Sequence, residues 1–383
     1  MYVGIDISKH KHTFAIINGE GKVIKEAQDF DNSHDGFYLL LKALQSVGGQ
    51  IKIGFESTGH YSVNLKHFLI EHGYSFMEVN PVLIKRFSES TTIRKTKTDK
   101  IDAITISKYL ATVDYNPTST KYYHIYHLKS LTRMYNKQVS DLGKAKVELR
   151  NLLDQAFPEF QKFFTDLYGK TPLLILKKAK SLKQIANLSN KQYDLYRKSS
   201  QGKFSYPRFL KLKDLAKSSI GINSKTLFFQ IHLAIDKIEN LQEMVLMLEH
   251  EIKETFSFFD SKMTSIPGLG TISAAIILAE VSDFNNFSNP DKLVSFAGLD
   301  NSIYESGTTT KCGKITKRGS HILRATLFKV SMPILANTKM FYAYYHKKRS
   351  EGKHHTLALI HVCRKLLRVI YKLETTNTTF KDI

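Results

Sequence analysis

Val3-Gly4-Ile5-Asp6-Ile7-Ser8 sets a carboxylate in the middle of an apolar, β-branched run. A charge there is expensive unless something pairs with it. The surrounding pattern is that of strands. Tyr2–Ile7 and Lys11–Asn18 are separated from a returning strand, Val23–Phe30, by the turn Gly19-Glu20-Gly21. Asn32 or Ser33 can cap a helix through Phe37–Ser46, with Leu39, Leu40, Leu41 and Leu44 on its buried side. Ile51–Phe55 is a short buried strand, His60–His72 a helix stopped by Gly73, and Tyr74–Val79 another strand. Pro81 opens a further helix, and Asp99–Leu110 is helical again. Three strands, helix, strand, helix, strand and helices make an α/β layer with a mixed sheet.

Three further acids accompany Asp6. Glu56 ends its strand in Gly54-Phe55-Glu56-Ser57-Thr58-Gly59. Asp99 and Asp102 lie three apart in Thr98-Asp99-Lys100-Ile101-Asp102-Ala103, a spacing that puts both on one helical face. Taken singly, these are strand ends and a capped first turn with favourable acids. Taken together, a strand-borne Asp, a strand-end Glu and a helical Asp pair can converge at one edge of such a sheet. Four hard oxygen donors suit Mg²⁺ better than zinc. Two ions about 3.5–4 Å apart activate an attacking oxygen and stabilise a leaving one in phosphodiester cleavage. Arg94, Lys95 and Lys97 precede the pair and can hold a nucleic-acid backbone beside it; the bland reading is a solvated loop.

The chain has 383 residues, too many for one ordinary core, so two or three units are expected. Its formal net charge of +21 favours a polyanionic partner, because each neutralised phosphate releases counterions. No apolar run is long enough to span a bilayer; the best, Ile272–Ala279, is short. The N-terminus lacks a signal-peptide pattern. Cys312 and Cys363 form neither a zinc pattern nor a disulfide framework. These features predict a soluble, cytoplasmic, nucleic-acid-binding protein with no membrane partner.

From about Tyr122 the period changes. Leu128, Tyr135, Leu142, Leu149 and Ala156 recur every seven residues, with Leu131, Ala145 and Leu152 at partner positions. A second register runs Ile231, Ile238, Val245, Ile252, beside Ala234, Leu241 and Leu248. Both are coiled-coil seams. They can pair with each other or across a dimer. The lysine-rich segment at 158–222 reads as a helical insertion without a definite place.

After Ser265 the character changes again. Pro267-Gly268-Leu269-Gly270 ahead of a helix at Thr271–Val281 is similar to a helix-hairpin-helix phosphate clamp, in which glycines let the backbone approach and the helix start offers free N–H groups. A tight turn between packed helices is the plain alternative. Then come Phe296-Ala297-Gly298-Leu299, Glu305-Ser306-Gly307-Thr308 and Lys314-Ile315-Thr316-Lys317-Arg318-Gly319, read as a loop over Leu299–Gly319. Ser306, among Lys311, Lys314, Lys317 and Arg318, is placed like a nucleophile for a phosphodiester. An ordinary polar loop would look the same. Two helices follow, about Ser320–Ala336 and His355–Leu373.

Gly4-Ile5-Asp6-Ile7-Ser8-Lys9, Phe55-Glu56-Ser57-Thr58-Gly59, Lys97-Thr98-Asp99-Lys100-Ile101-Asp102-Ala103 and the run from Ile266 to Arg324 closely resemble the DEDD insertion-sequence transposases. This is insertion-sequence family one hundred and ten, also called bridge-RNA-guided recombinases. The resemblance covers nearly the whole chain. It implies an RNase H-like (RuvC-like) nuclease domain at 1–121, a coiled coil with its insertion at 122–260, and a mainly α transposase domain at 261–383. It further implies that Asp6, Glu56, Asp99 and Asp102 bind Mg²⁺, with two ions and Mn²⁺ as a substitute. Ser306 would form a covalent link with DNA. Donor and target DNA, a structured guide RNA gripped by backbone and shape, and a homo-oligomer, dimer or tetramer, would be the partners. Domains of different subunits would build one composite site. The chain departs from the family at Asp300-Asn301, where a proline often follows Gly298-Leu299. It departs again at Thr308, where many members have a second glycine after the serine. Ser302 is the nearest rival to Ser306.

Other classes fit less of the sequence. A sugar-kinase-type ATPase would share the Gly-Ile-Asp strand but needs a second phosphate loop and leaves Asp99 and Asp102 without a job. A metal-independent tyrosine recombinase would use His321-x-x-Arg324 or His361-x-x-Arg364 with Tyr371; such matches arise easily by chance, and helical packing is the better reason for them. A hydrolytic RuvC-like resolvase would share the acids without the serine. A non-catalytic binding protein would not need an intact acidic set.

Overall fold

The strand that carries Asp6, β1 (Tyr2–Asp6), lies at the centre of a five-stranded sheet. In this computed structural model all residues are described except 57, 58, 60, 92–97, 118–121, 307, 308 and 383, along with the side chains of 122, 123, 302–306 and 309–314. The chain forms two compact units, Met1–His124 and Ile125–Ile383.

In the first unit the elements are β1, β2 (Lys11–Ile17), β3 (Val23–Asp31), α1 (His34–Gln45), β4 (Lys52–Glu56), α2 (Val63–Glu71), β5 (Phe76–Val79), α3 (Pro81–Thr91) and α4 (Asp99–Thr112). The sheet order is β3-β2-β1-β4-β5, with β1 antiparallel to β2 and parallel to β4. This is the RNase H-like arrangement expected. Alternation along the strands assigns the two faces. Val3, Ile5, Ile53 and Phe55 are fully buried in a core with Leu40 and Leu44 of α1 and Leu65 and Leu69 of α2. Gly4 and Gly54 point the other way, onto α4. A Cβ at Gly4 would overlap the Ala103 carbonyl, and one at Gly54 would meet the Leu110 side chain. Buried Ser107 joins the layers, accepting from the Gly4 N–H at 2.9 Å. Several bounds differ from expectation. The first strand ends at Asp6, not Ile7. Of the two expected caps, Ser33 serves α1, accepting from Gly36 N–H at 3.3 Å. Tyr74 closes α2, donating to Leu69 O at 2.8 Å, instead of opening β5.

Among the described residues, the second unit is helical apart from one hairpin. Its elements are α5 (Tyr122–Ala156), α6 (Pro158–Phe163), α7 (Lys170–Lys178), α8 (Leu182–Ala186), α9 (Asn190–Ser199), α10 (Tyr206–Lys217), α11 (Lys225–Ser257), α12 (Thr271–Val281), α13 (Pro290–Phe296), β6 (Asn301–Ser306), β7 (Thr309–Ile315), α14 (His321–Asn337), α15 (Lys339–Ser350) and α16 (His355–Thr376). α5 and α11 pair with each other as an antiparallel hairpin. The Tyr135 hydroxyl donates to Glu249 at 3.0 Å, and Lys237 meets Glu148 at 3.0 Å. At one end of this pair Leu128, Ile252 and Phe256 share a core with α12, α14 and α16. At the other, Ala145, Leu149, Ile231 and Ile238 share one with α6–α10. The 158–222 insertion thus caps the far end of the long helices.

Two expectations are corrected. The loop expected over Leu299–Gly319 holds the antiparallel pair β6–β7, with Tyr304 opposite Lys311 and Ser306 opposite Thr309. Its β-branched and aromatic residues (Ile303, Tyr304, Thr309, Thr310, Ile315) favour extended pairing despite the polar ones between them. A further helix, α15, lies between the two expected; of its residues only Phe341 is buried, so its apolar period is faint. Among the described residues no helix is long and apolar enough to cross a membrane.

Candidate active site

The acidic edge follows from register and alternation. Ile5 pairs with Phe55 in the parallel β1–β4 ladder, so the next step sets Asp6 beside Glu56. Both sit two residues beyond the glycines that face α4, and therefore share that face. α4 runs antiparallel to β1. Ala103 and Ser107 lie over Gly4, and Leu110 lies over Gly54. Beyond the helix, the Tyr115 hydroxyl lies 3.0–3.2 Å from the Ile53 carbonyl and amide, at the strands' opposite end. The start of α4 therefore meets the ends of β1 and β4. Thr98 caps that start, accepting from Ile101 N–H at 3.3 Å, and Asp99 and Asp102 occupy the first turn. Asp6, Glu56 and Asp102 are half-buried and Asp99 is exposed.

The same row of the sheet continues through Thr13, which pairs with Asp6 on one side and Asp29 on the other. Asp29 accepts from Lys11 Nζ and Thr13 Oγ1, each at 2.7 Å, and these bonds, Lys11's first, hold its carboxyl below the usual range. Lys11 is raised, chiefly by the Asp29 hydrogen bond, and the field of Asp99 adds to it. Asp99 therefore lies within reach of Lys11, at the β1–β2 end of the sheet. The donor set fits a hard divalent cation: four carboxylates, no thiol, and a helix start at hand. Among the described residues, a three-ligand grouping with atoms within 4.8 Å occurs elsewhere, at exposed His250, Glu251 and Glu254 of α11. The four acids thus share an edge without closing into such a cage.

The second set of residues gathers at the hairpin. Ser306 closes β6 opposite Thr309. Its side chain, Gly307, the side chains of Lys311, Lys314 and Ser302, and all of Arg94, Lys95 and Lys97 lie outside the described residues. Lys317 and Arg318 are exposed at the foot of β7. Gly268 has φ +91° and a Cβ there would lie 2.6 Å from the Pro333 carbonyl, so α14 occupies the space that its missing side chain leaves. Gly270 caps α12 and opens on free space.

Two arginines tie the base of this hairpin, contacts that the sequence reading did not foresee. Arg324 Nη1 donates to the carbonyls of Ala297 (3.0 Å), Gly319 (3.1 Å) and Arg318 (3.3 Å). Arg364 donates from Nε to Leu299 O at 2.7 Å and from Nη2 to Asn301 Oδ1 at 2.6 Å. They are the arginines of the two His-x-x-Arg matches, and this is the packing reading of those motifs. Tyr371 donates to the Phe287 carbonyl at 2.8 Å. Glu280, 2% exposed, accepts from Arg133 at 2.9 and 3.3 Å and from Ser320, the cap of α14. Burial pushes its carboxyl up, but the Arg133 and Ser320 bonds prevail and hold it low.

Comparison with known proteins agrees with this layout. Residues 3–158 match the DEDD transposase family of the IS110 type, and residues 260–346 match the family described as "Transposase IS116/IS110/IS902 family". The chain is 23% identical to a pilin gene-inverting protein of Moraxella lacunata, covering 99% of this chain and 97% of the relative. It is 22% identical to the uncharacterized 44.8 kDa protein of insertion element IS116 from Streptomyces clavuligerus, covering 97% and 94%. A 29% match to the insertion element IS110 protein of Streptomyces coelicolor covers 31% of this chain and 30% of that one. A DEDD match implies divalent-metal dependence and DNA as substrate. The chain belongs to the IS110-type family of DEDD insertion-element transposases.

Proposed function

We propose that the chain cleaves and rejoins DNA strands by a serine–phosphodiester link, with Asp6, Glu56, Asp99 and Asp102 holding two Mg²⁺ ions. The observation that carries this reading is the acidic edge: neighbouring strand ends bearing Asp6 and Glu56 on the face where α4 starts with Asp99 and Asp102. When bound, the ions supply Lewis-acid stabilisation of charge developing on the phosphodiester. The chain's own part is to hold four carboxylates on rigid elements and to present Ser306. The Ser306 oxygen bonds to phosphorus as the P–O bond of the leaving strand breaks; its proton is lost and the leaving oxygen gains one. The phosphoester is retained in the link, so attack by another strand's hydroxyl rejoins DNA without an outside energy source. From the family resemblance we also propose that a structured guide RNA selects donor and target by base pairing, and that a homo-oligomer is the active form.

The test incubates protein, guide RNA and supercoiled DNA with Mg²⁺ or EDTA and resolves products on a denaturing gel. A protein–DNA adduct is expected with Mg²⁺, lost in EDTA, and abolished by Asp102→Ala and Ser306→Ala. Nicking without an adduct would mean a hydrolytic resolvase, and an adduct that persists in EDTA would point to a tyrosine recombinase.

A further inference from the structure

We infer that Arg324 and Arg364 are positioning residues for Ser306, together locking the base of the β6–β7 hairpin. The inference rests on the reading of Ser306 as nucleophile. The acceptors these arginines serve lie on both legs of the hairpin. Ala297, Leu299 and Asn301 are on the incoming leg, and Arg318 and Gly319 on the outgoing one. A guanidinium is always charged and rich in donors: Arg364 uses two nitrogens of its rigid fork, and Arg324 turns Nη1 onto three carbonyls. The two forks come from different helices, α14 and α16, that share one core.

The backbone between the forks leaves no slack. Gly298 has φ +66°, and a Cβ there would overlap the Arg318 carbonyl; Gly319 has φ +91°, and a Cβ there would overlap the Phe296 carbonyl. The two legs therefore cross in direct backbone contact. Just above the crossing, the Asp300 carbonyl accepts from Thr316 N–H at 2.9 Å and its carboxylate accepts from Thr316 Oγ1 at 2.6 Å, while Lys317 N–H donates to Gly298 O at 3.1 Å. Ser320 continues the bracing through buried Glu280.

The reason for so firm a base is leverage. From Asn301 to Ser306 the strand rises about 3.3 Å per residue, roughly 17 Å in all. A pivot of about 4° at the base then shifts the tip by about 1 Å, and a misplacement of that size slows an in-line attack on the order of 100-fold. Neither arginine need touch DNA to control the reaction.

The experiment uses the full chain. Hydrogen–deuterium exchange of peptides covering 299–319 is compared in the wild type, Arg324→Ala, Arg364→Ala, their Lys variants and Ser306→Ala, with α12 peptides as the fold control. Adduct formation at saturating DNA and DNA affinity at two salt concentrations are measured beside it. Either Ala variant should speed exchange of 299–319 by about tenfold or more with α12 unchanged. It should slow adduct formation on the order of 100-fold and leave affinity within about twofold. Arg364→Lys should rescue little, because a point charge cannot span the Leu299 carbonyl and Asn301 Oδ1 that Nε and Nη2 reach separately, whereas Arg324→Lys should rescue in part, since Nη1 alone makes the bonds there. Unchanged exchange in both Ala variants, or loosened exchange with a wild-type adduct rate, overturns the inference. So does a flatter salt dependence in Arg324→Ala or Arg364→Ala, which would make the arginines DNA contacts. Should one Ala variant lose its α12 protection, the other and the two Lys variants carry the test. Ser306→Ala should exchange like wild type and form no adduct; an adduct in that variant overturns the nucleophile reading itself, a failure distinct from that of the base.

Discussion

His12 is fully buried, packed edge-on to Phe30 at 5.2 Å and stacked on Phe37 at 6.1 Å. Its Nδ1 accepts from Ser8 N–H at 3.3 Å, which assigns the proton to Nε2. Burial pushes its pKa down to about 4. The folded state therefore binds fewer protons than the unfolded chain between about pH 6.5 and 4, so stability declines as pH falls through that window. The loss approaches about 3 kcal/mol at its lower end. Urea unfolding at pH 7 and pH 4.5 should show it, and His12→Phe should remove most of the difference. Glu280 titrates in the opposite sense to a simple buried acid. Its carboxyl is held low, so its contribution is present above the ordinary carboxylate range and lost as pH falls through its depressed value. Arg133→Ala leaves the buried carboxylate with less compensation and should cost about 1–3 kcal/mol in the same unfolding assay, since Arg133 itself is half-exposed. Asp6 was legible in the sequence because a carboxylate in an apolar run needs a reason. Arg324 and Arg364 were not. Their acceptors include residues up to 65 positions away, and a His-x-x-Arg pattern says nothing of which carbonyls the arginine ties.

Between elements, the contact that sets the acidic edge is α4 on β1. Gly4→Ala would drive a methyl into the Ala103 carbonyl, and α4 carries Asp99 and Asp102, so the helix must withdraw with its acids. Overpacking of this kind costs about 1–3 kcal/mol, and adduct formation should fall with it. Gly19→Ala, with open space around it, is the control and should leave both unchanged. If Gly4→Ala kept wild-type stability and activity, the tight β1–α4 contact would not position the acids. The heptads of α5 and α11 were legible because a and d residues mark a buried seam whatever the partner. The partner was not, since seam residues are alike in an intramolecular hairpin and in a dimer. The choice shows only in pairs 89 and 114 residues apart, Glu148–Lys237 and Tyr135–Glu249. The β6–β7 hairpin was not legible because Asn301, Ser302, Glu305, Lys311, Gly313 and Lys314 weaken a strand signal that pairing then supplies.

At the scale of the whole molecule, the positive charge is unevenly spread. The 158–222 insertion carries 14 Lys and Arg against 4 Asp and Glu, about half the chain's surplus of +21. Most of its apolar side chains are spent inside, in the core it forms with the far ends of α5 and α11, although Leu195, Leu210, Ile220 and Ile222 stay exposed. That leaves the lysines on its surface: Lys178, Lys180 and Lys183, close along α7 and α8, are all exposed. Lys177 beside them is already bound to Asp236 and Glu239 and is not available in the same way. A phosphate backbone gains most from cations of the first kind, because neutralising each phosphate releases counterions and steepens the salt dependence by about 0.9 per contact. The combined substitution Lys178→Gln, Lys180→Gln and Lys183→Gln should therefore weaken nucleic-acid binding at low salt and flatten the slope of log K against log salt by about 2–3. Thermal stability should hold, since none of the three is buried. Fluorescence anisotropy between about 50 and 200 mM salt measures the slope directly. An unchanged slope would mean that the insertion's charge faces solvent alone and that the helical cap serves only to close the end of the long helices.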